Sequence, residues 1–120
     1  MQNVKPKFGE IFYAVLQAEG NIQGGRRPVL IAQNDVGNRH SPTVEIIPMS
    51  RRTKKASYMP THVLVQANHE NGLDSESVVL AEQVQTINMS QLGKRLGRLS
   101  RAELVSVGKA RCIQSPFPIN

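Results

Sequence analysis

The stretch RRPVLIAQNDVGNRHSPTVEIIPMS, residues 26–50, decides the fold. Residues 26–34 start with a proline suited to a strand edge and continue as the apolar run VLIA, which is typical of a strand buried on both faces. In residues 43–50, Val44 and Ile46 fall on one face of an extended chain and Ile47 falls on the other. Residues 35–42 contain several turn formers, and this predicts a hairpin-type connection between the two strands.

The rest of the chain continues the β pattern. Residues 8–17 are rich in β-branched and aromatic side chains and lack helix caps, which favours another strand. The glycines and asparagine in residues 19–25 predict a loop. Four shorter apolar segments are predicted strands, at residues 61–66, 77–80, 84–87 and 97–99, with a helical turn at 89–93 and polar connections at 51–59 and 66–74.

One helix is predicted, near the C-terminus. Ser100 and Glu103 have the spacing of a capping box, and the helix is expected to run to about Cys112. Leu104 and Val107 share one face of this helix, and we expect Cys112 to be buried in packing, the alternative being a reactive thiol. Residues 113–120 are expected to form an irregular tail.

Together these elements predict one mainly β domain over residues 1–120, a small β-barrel with a C-terminal α-helix and a core at about 7–112.

The net charge of +6 favours a polyanionic partner, because neutralised phosphates release condensed counterions. The alternative is that many small proteins are basic for no specific reason. Aromatic residues make up only 4% of the chain and tryptophan is absent, which argues against a platform that stacks a long single strand. Any recognition of RNA is therefore expected to rest on phosphate contacts and hydrogen bonds.

Several kinds of site are not indicated. The three histidines lack metal-ligand spacing, and the sequence contains no phosphate-binding loop, dinucleotide fingerprint or nucleophile elbow. We therefore expect no metal and no cofactor. A single cysteine excludes an internal disulfide, and no apolar run is long enough for a membrane span or a signal peptide, so a cytoplasmic protein with no membrane partner is expected.

Candidate chemistry is carried by arginine and hydroxyl groups at strand ends. Arg27 joins a glycine loop to a buried strand, and its planar guanidinium suits a phosphate, although a surface arginine beside a strand is the ordinary interpretation. Ser50 ends a strand and would ordinarily be a turn residue. The cluster at residues 51–55 holds four cations, which is either a solvated loop or a contact for a polyanion.

The block QGGRRPVLIAQNDVGNRHSPT, residues 23–43, resembles the signature of the MazF/PemK toxins. Four further segments match that family in order: PTHV at 60–63, DSESVVL at 74–80, EQVQTI at 82–87 and LGRL at 96–99. The resemblance covers about residues 7–112. It implies an SH3-like barrel of the CcdB/PemK type, which acts as a homodimer. The implied activity is metal-independent, sequence-specific cleavage of single-stranded RNA (mRNA), blocked by an acidic antitoxin peptide.

The resemblance also assigns residues. Arg27 takes the place of the family's catalytic arginine, and Ser50 takes the place of its threonine, while Ile22 stands where an acidic residue is frequent. The implied reaction is attack by the RNA 2′-hydroxyl, which leaves a 2′,3′-cyclic phosphate and a 5′-hydroxyl. The expected RNA-binding residues are Gln23, Gly24, Gly25, Arg26, Arg51, Lys54, Lys55, Thr61 and His62. For His62 a structural strand histidine is the alternative. For the whole chain the alternative is a non-catalytic module that inhibits a target such as gyrase.

Overall fold

The computed structural model describes residues 5–17, 24–51 and 59–118, and within them the chain forms seven strands and two α-helices. In chain order they are β1 (Glu10–Leu16), β2 (Gly25–Ile31), α1 (Asp35–His40), β3 (Thr43–Arg51), β4 (His62–Val65), β5 (Ser77–Leu80), β6 (Gln85–Asn88), β7 (Leu92–Arg98) and α2 (Arg101–Gln114). Two 3₁₀ turns cover Ala81–Gln83 and Met89–Gln91.

The strands form one antiparallel sheet in the order β4-β5-β3-β2-β1-β7. One edge of β3 pairs with β2, and the other edge pairs first with β6 and then with β5. The two ends of the sheet approach each other through the loop after β4, where the Arg98 amide donates to the Glu70 carbonyl at 2.9 Å. Gly97 makes this approach possible, because a Cβ there would collide with the backbone of Glu70. The prediction of a mainly β, barrel-like fold with a C-terminal helix is confirmed, although the sheet itself is not closed.

Two apolar clusters lie on the two faces of the sheet. One contains Leu30, Ile47 and Met49 and is covered by Val107 of α2. The other contains the alternate strand residues, among them Val29, Ile31, Val44 and Ile46. Consecutive residues of β2 therefore enter different clusters, which confirms that this strand is buried on both faces.

The connection between β2 and β3 differs from the prediction, because it contains the helix α1. Asn34 caps this helix by accepting a hydrogen bond from the Gly37 amide at 2.9 Å. Asn38 is fully buried, and its side-chain amide donates to the Gln33 carbonyl at 2.9 Å. Of the residues that suggested a hairpin turn, Asp35, Gly37 and Asn38 lie inside this six-residue helix, where the Asn38 side-chain amide also donates to Asp35 Oδ1 at 3.1 Å.

The capping box that starts α2 is confirmed, with the Ser100 amide donating to Glu103 at 2.8 Å and the Glu103 amide donating to Ser100 at 3.2 Å. The helix continues to Gln114, past the predicted end. The expectation that Cys112 is buried is wrong, since this residue is exposed. Val107 and Ala110 are the buried residues of α2, and a position five residues after Val107 lies about 140° around the helix from it.

β7 is also longer than predicted, because it begins at Leu92, and its pairing with β1 extends from Leu92 to Arg98 with two register shifts. Among the described helices, none is long and apolar enough to cross a membrane.

Candidate active site

The candidate site lies where β2 and β3 separate. Their paired register runs from Ile31 with Ile46 to Val29 with Pro48 and stops there. Both strands continue beyond this point, β2 remaining paired with β1 and β3 pairing with β5. The sheet therefore splits into two ribbons, and within the described residues no strand pairs with the backbone groups that face the split.

Arg27 spans this split. Its Nε donates to the Gly24 carbonyl at 2.9 Å, and its Nη1 donates to the Met49 carbonyl of β3 at 3.3 Å. These bonds use two of the five N–H donors of a guanidinium, and the other three have no hydrogen-bond partner among the residues that the structure describes. Burial lowers the pKa of Arg27, but an arginine remains protonated at any physiological pH. The geometry thus holds a positive charge in a fixed orientation with donors left for an anion.

Ser50 lies across the split from Arg27. Each residue is two positions beyond the last β2–β3 pair, and strand alternation places both on the face that carries Val29 and Pro48. Ser50 is half-buried and pairs through its backbone with Val78 of β5. The side chains of Ser50 and Arg27 therefore leave their strands on the same face, at the ends of two diverging strands.

A cleft of about 310 Å³ opens beside Arg27. Three cations line it, Arg26, Arg27 and Arg51, together with one carboxylate, Asp74, while Ser50 is not among its lining residues. The remaining lining residues are Tyr13, Pro28, Met49, Leu73, Ser75, Ser77 and Leu96. The cleft is therefore a small basic pocket with an apolar floor, and Arg27 is the member of the Arg27–Ser50 pair that lines it.

The glycine residues before Arg27 have a backbone role at this site. Gly24 supplies the carbonyl that orients Arg27, and Gly25 adopts φ +78°, a conformation that favours glycine. Gln23, Lys54 and Lys55, three of the predicted RNA-binding residues, lie outside the described residues, as does Ile22.

Thr61 and His62 lie in a separate cluster. The Thr61 hydroxyl donates to Glu82 Oε1 at 3.1 Å, and His62 Nε2 lies 2.9 Å from Glu82 Oε2. The β3–β5–β4 register places His62 two strands over and two residues along from Ser50, a Cα separation of about 12 Å at ~4.8 Å per strand and ~3.3 Å per residue. The structure therefore does not bring these two predicted RNA-binding residues to the Arg27–Ser50 pair, and it places a carboxylate against both.

Glu82 is held ionised by this cluster. Its burial raises the pKa of the carboxyl, but hydrogen bonds from His62, the backbone and Thr61, with the nearby His62 charge, outweigh burial and keep the pKa below its usual range. The side chains of His62 and Glu82 are 12% and 18% exposed, so the pair is largely shielded from water. This arrangement favours the structural interpretation of His62.

The sequence analysis did not identify Tyr13 and Asp74, which line the cleft. It also did not identify Glu82, which hydrogen-bonds with Thr61 and His62. The strand pattern contained a signal only for Tyr13, since an antiparallel β1–β2 register brings it diagonally opposite Arg26. Within the described residues, no three histidine, cysteine or acidic side chains come together as a metal site requires.

Comparison with known proteins identifies a matching family and several relatives. Residues 7–114 match the sequence model of a family described as PemK-like, MazF-like toxin of type II toxin-antitoxin system. Endoribonuclease MazF of Staphylococcus saprophyticus is 40% identical over 103 residues, which cover 85% of this chain and 84% of that protein. Among solved structures, Mycobacterium tuberculosis toxin MazF-mt6 is 27% identical with a TM-score of 0.75, covering 92% of this chain and 99% of that one.

A mycobacterial endoribonuclease solved in complex with its cognate antitoxin has the same fold, with a TM-score of 0.71 at 23% identity over 99% of this chain and 100% of that one. The family match spans nearly the whole chain and contains both diverging strands together with Arg27 and Ser50. The chain belongs to the family of PemK-like, MazF-like toxins of type II toxin–antitoxin systems.

Proposed function

We propose that this endoribonuclease toxin cleaves single-stranded RNA, mRNA in particular, at short sequences by using the 2′-hydroxyl of the substrate as nucleophile. The observation that carries the proposal is the orientation of Arg27, whose guanidinium is fixed by two backbone carbonyls while its other three donors have no partner among the described residues and can bind a phosphate. Family membership supplies the endoribonuclease activity. The orientation of Arg27 supports cleavage by attack of the 2′-hydroxyl on a bound phosphate.

The 2′-oxygen attacks the adjacent phosphorus, its proton leaves, and the bond to the 5′-oxygen breaks as that oxygen gains a proton. The products are a 2′,3′-cyclic phosphate and a 5′-hydroxyl end. Arg27 stabilises the negative charge that develops on the non-bridging oxygens, which is usually the largest catalytic term. Ser50 orients the phosphate by a hydrogen bond, because a serine hydroxyl is a poor acid near neutral pH. The reaction requires no metal.

We assign contacts with flanking phosphates to Gly24, Gly25, Arg26 and Arg51, and the same role to Gln23, Lys54 and Lys55, which lie outside the described residues. Arg26 and Arg51 are both exposed at the cleft beside Arg27, which supports their part of this assignment. Thr61 and His62 are assigned a supporting role through Glu82 and no direct contact, since the carboxylate already engages both side chains. Action on mRNA places the protein in the cytoplasm.

Primer-extension mapping of cuts in a long RNA tests the assignment of Arg27. We expect Arg27→Ala to lower the cleavage rate about 10²–10³-fold, the loss typical for one donor to a developing oxyanion. Arg101→Ala is the matched control, because it removes the same charge from an exposed position at the start of α2. Wild-type cleavage by Arg27→Ala would refute the assignment. Inhibition of gyrase supercoiling by a wild-type protein that cuts no RNA would favour the binding module instead.

Three further measurements test the chemistry. Ser50→Ala is expected to slow cleavage roughly 5-fold, the value of about one neutral hydrogen bond, while Ser50→Thr keeps the rate. A single 2′-deoxyribose at the cut site should abolish cleavage there, and the 5′ ends should accept phosphate from a kinase without prior phosphatase. Excess EDTA should leave the rate unchanged, and loss of activity in EDTA would contradict a metal-free reaction.

We also propose an acidic antitoxin as partner and a homodimer as the active form. The net charge of +6 and the exposed arginines at the cleft favour an acidic, partly disordered chain that folds on binding. A peptide encoded immediately upstream of this gene should bind and block RNA cleavage. Light scattering after size exclusion should give twice the mass of 13.3 kDa, and a monomer at micromolar concentration would count against the dimer.

A further inference from the structure

The cleft beside Arg27 contains an ordered stack of two side chains. The guanidinium of Arg26 lies over the ring of Tyr13, with Cζ 3.9 Å from the ring centroid. The β1–β2 register pairs Tyr13 with Pro28, so Arg26 is its diagonal neighbour across the ladder and the contact follows from strand geometry. Because one face of the guanidinium is covered by the ring and Arg26 remains exposed, a flat positively charged plane is presented to the cleft.

The floor and the rim of the cleft differ in chemistry. Met49 and Leu73 belong to a buried apolar cluster and form the floor together with Leu96. At the rim, Asp74 Oδ1 lies 3.6 Å from the guanidinium of Arg51. The side chains of this pair are 76% and 70% exposed, so both remain accessible to a ligand. A carboxylate offers about four acceptor positions, and the ion pair involves only one oxygen.

This combination matches the chemistry of a nucleobase. A base has flat faces that stack on guanidinium or aromatic planes, and a polar edge that hydrogen-bonds with side chains. The cleft volume of about 310 Å³ is at the lower end of small-molecule pockets, roughly 300–1,000 Å³, so it suits one base. The low aromatic content argues against a platform for a long strand, but a single stack needs only one ring.

We propose that this cleft is a base-specificity subsite for the nucleotide next to the scissile phosphate. The base stacks on the Arg26 plane held by Tyr13, and Asp74 accepts a hydrogen bond from an exocyclic amino group. Cytosine carries such a group at C4, where uracil instead carries a carbonyl oxygen that the carboxylate repels. The subsite therefore prefers cytosine to uracil. The inference rests on the proposed cleavage of RNA for its biological meaning but not for its test.

The test measures binding, so that it does not require cleavage. Fluorescence anisotropy is recorded with 2′-O-methyl oligo-C and oligo-U, which lack the 2′-hydroxyl and cannot be cut. We expect wild type to bind oligo-C about ten-fold more tightly than oligo-U, the discrimination typical of one good side-chain–base pair. Asp74→Asn should bring the two affinities within about two-fold of each other. Glu45→Gln, at an exposed site on β3 outside the cleft, is the matched control and should keep the ten-fold ratio.

Two variants test the stack. Tyr13→Phe keeps the ring and should bind both oligonucleotides as wild type does, whereas Tyr13→Leu should weaken both roughly ten-fold, the loss of about one stacked base. An unchanged ratio in Asp74→Asn, or equal wild-type affinities, would overturn the subsite, and unchanged binding by Tyr13→Leu would overturn the stack. A protein that keeps the ratio but cuts no RNA would refute the proposed cleavage and leave the subsite standing.

Discussion

Replacing Asn71 by alanine should destabilise the protein strongly, because this one side chain organises the loop through which the two ends of the sheet approach each other. Asn71 is fully buried. Its Nδ2 donates to the Gln66 carbonyl at 2.8 Å, and its Oδ1 accepts from the amides of Asn68 at 3.1 Å and Leu73 at 3.0 Å. Truncation leaves one carbonyl and two amides without these partners.

The expected loss of unfolding free energy depends on how well water can reach each backbone group that loses its partner. An unsatisfied buried polar group costs about 1–3 kcal/mol. The bond to the Leu73 amide is buried, so its loss should cost an amount in the upper part of that range. The other two bonds are part-buried, so the loss of each should cost an amount in the lower part. The loss of unfolding free energy should be about 4 kcal/mol, a large share of the roughly 5–15 kcal/mol available to a small domain.

Urea unfolding followed by far-UV circular dichroism measures this loss. Asn68→Ala is the matched control, because the Asn68 side chain accepts only the Asn71 amide at 2.8 Å within the described residues and is exposed. It should cost about 1 kcal/mol. If Asn71→Ala cost no more than Asn68→Ala, the reasoning from unsatisfied buried groups would be wrong for this loop.

Three other substitutions have defined outcomes. The folded-state pKa of Glu82 is lowered, so its stabilising pair with His62 is present above the unfolded pKa of about 4.3 and is lost as the pH falls through the folded value. Urea midpoints of Glu82→Gln should therefore lie below those of wild type at pH 6 and converge with them in the acid range, and a constant gap down to pH 3 would contradict this. Ser100→Ala removes the cap that binds the Glu103 amide and should lower the unfolding free energy by about 1 kcal/mol, again by urea unfolding. Cys112→Ser should leave the thermal midpoint unchanged, since the thiol is exposed, and a fall of several degrees would show that the side chain is packed.

The strands could be predicted from sequence because their signals are local. The run VLIA and the alternation of residues 43–50 give β2 and β3 whatever lies around them. The connection between them could not be predicted as easily, because asparagine and aspartate favour both turns and helix caps. The choice in favour of α1 depends on Asn38, whose side chain bonds back to Gln33 in the buried interior.

The places of candidate-site residues could be predicted where position along a strand was enough, whereas contacts with partners distant in sequence could not. Arg27 lies at the loop–strand junction as expected, but its acceptor at Met49 is 22 residues away and becomes available only because β2 and β3 separate. Likewise, Glu82 lies 20 residues from His62, and nothing local in the sequence indicates that this carboxylate engages it.

The split in the sheet gives a physical reason to expect that activity requires an arginine at position 27 and not merely a cation. Diverging strands leave the Met49 carbonyl without a β2 partner, and the guanidinium supplies a donor to it while a second donor binds Gly24. A lysine would keep the charge, but a single ammonium cannot hold two carbonyls in different directions and also present a planar pair of donors to a phosphate. The bonds that stabilise the split are thus the same bonds that orient the charge. It follows that Arg27→Lys should lose most of the activity that Arg27→Ala loses, because orientation, and not charge alone, is what the two ribbons of the sheet provide.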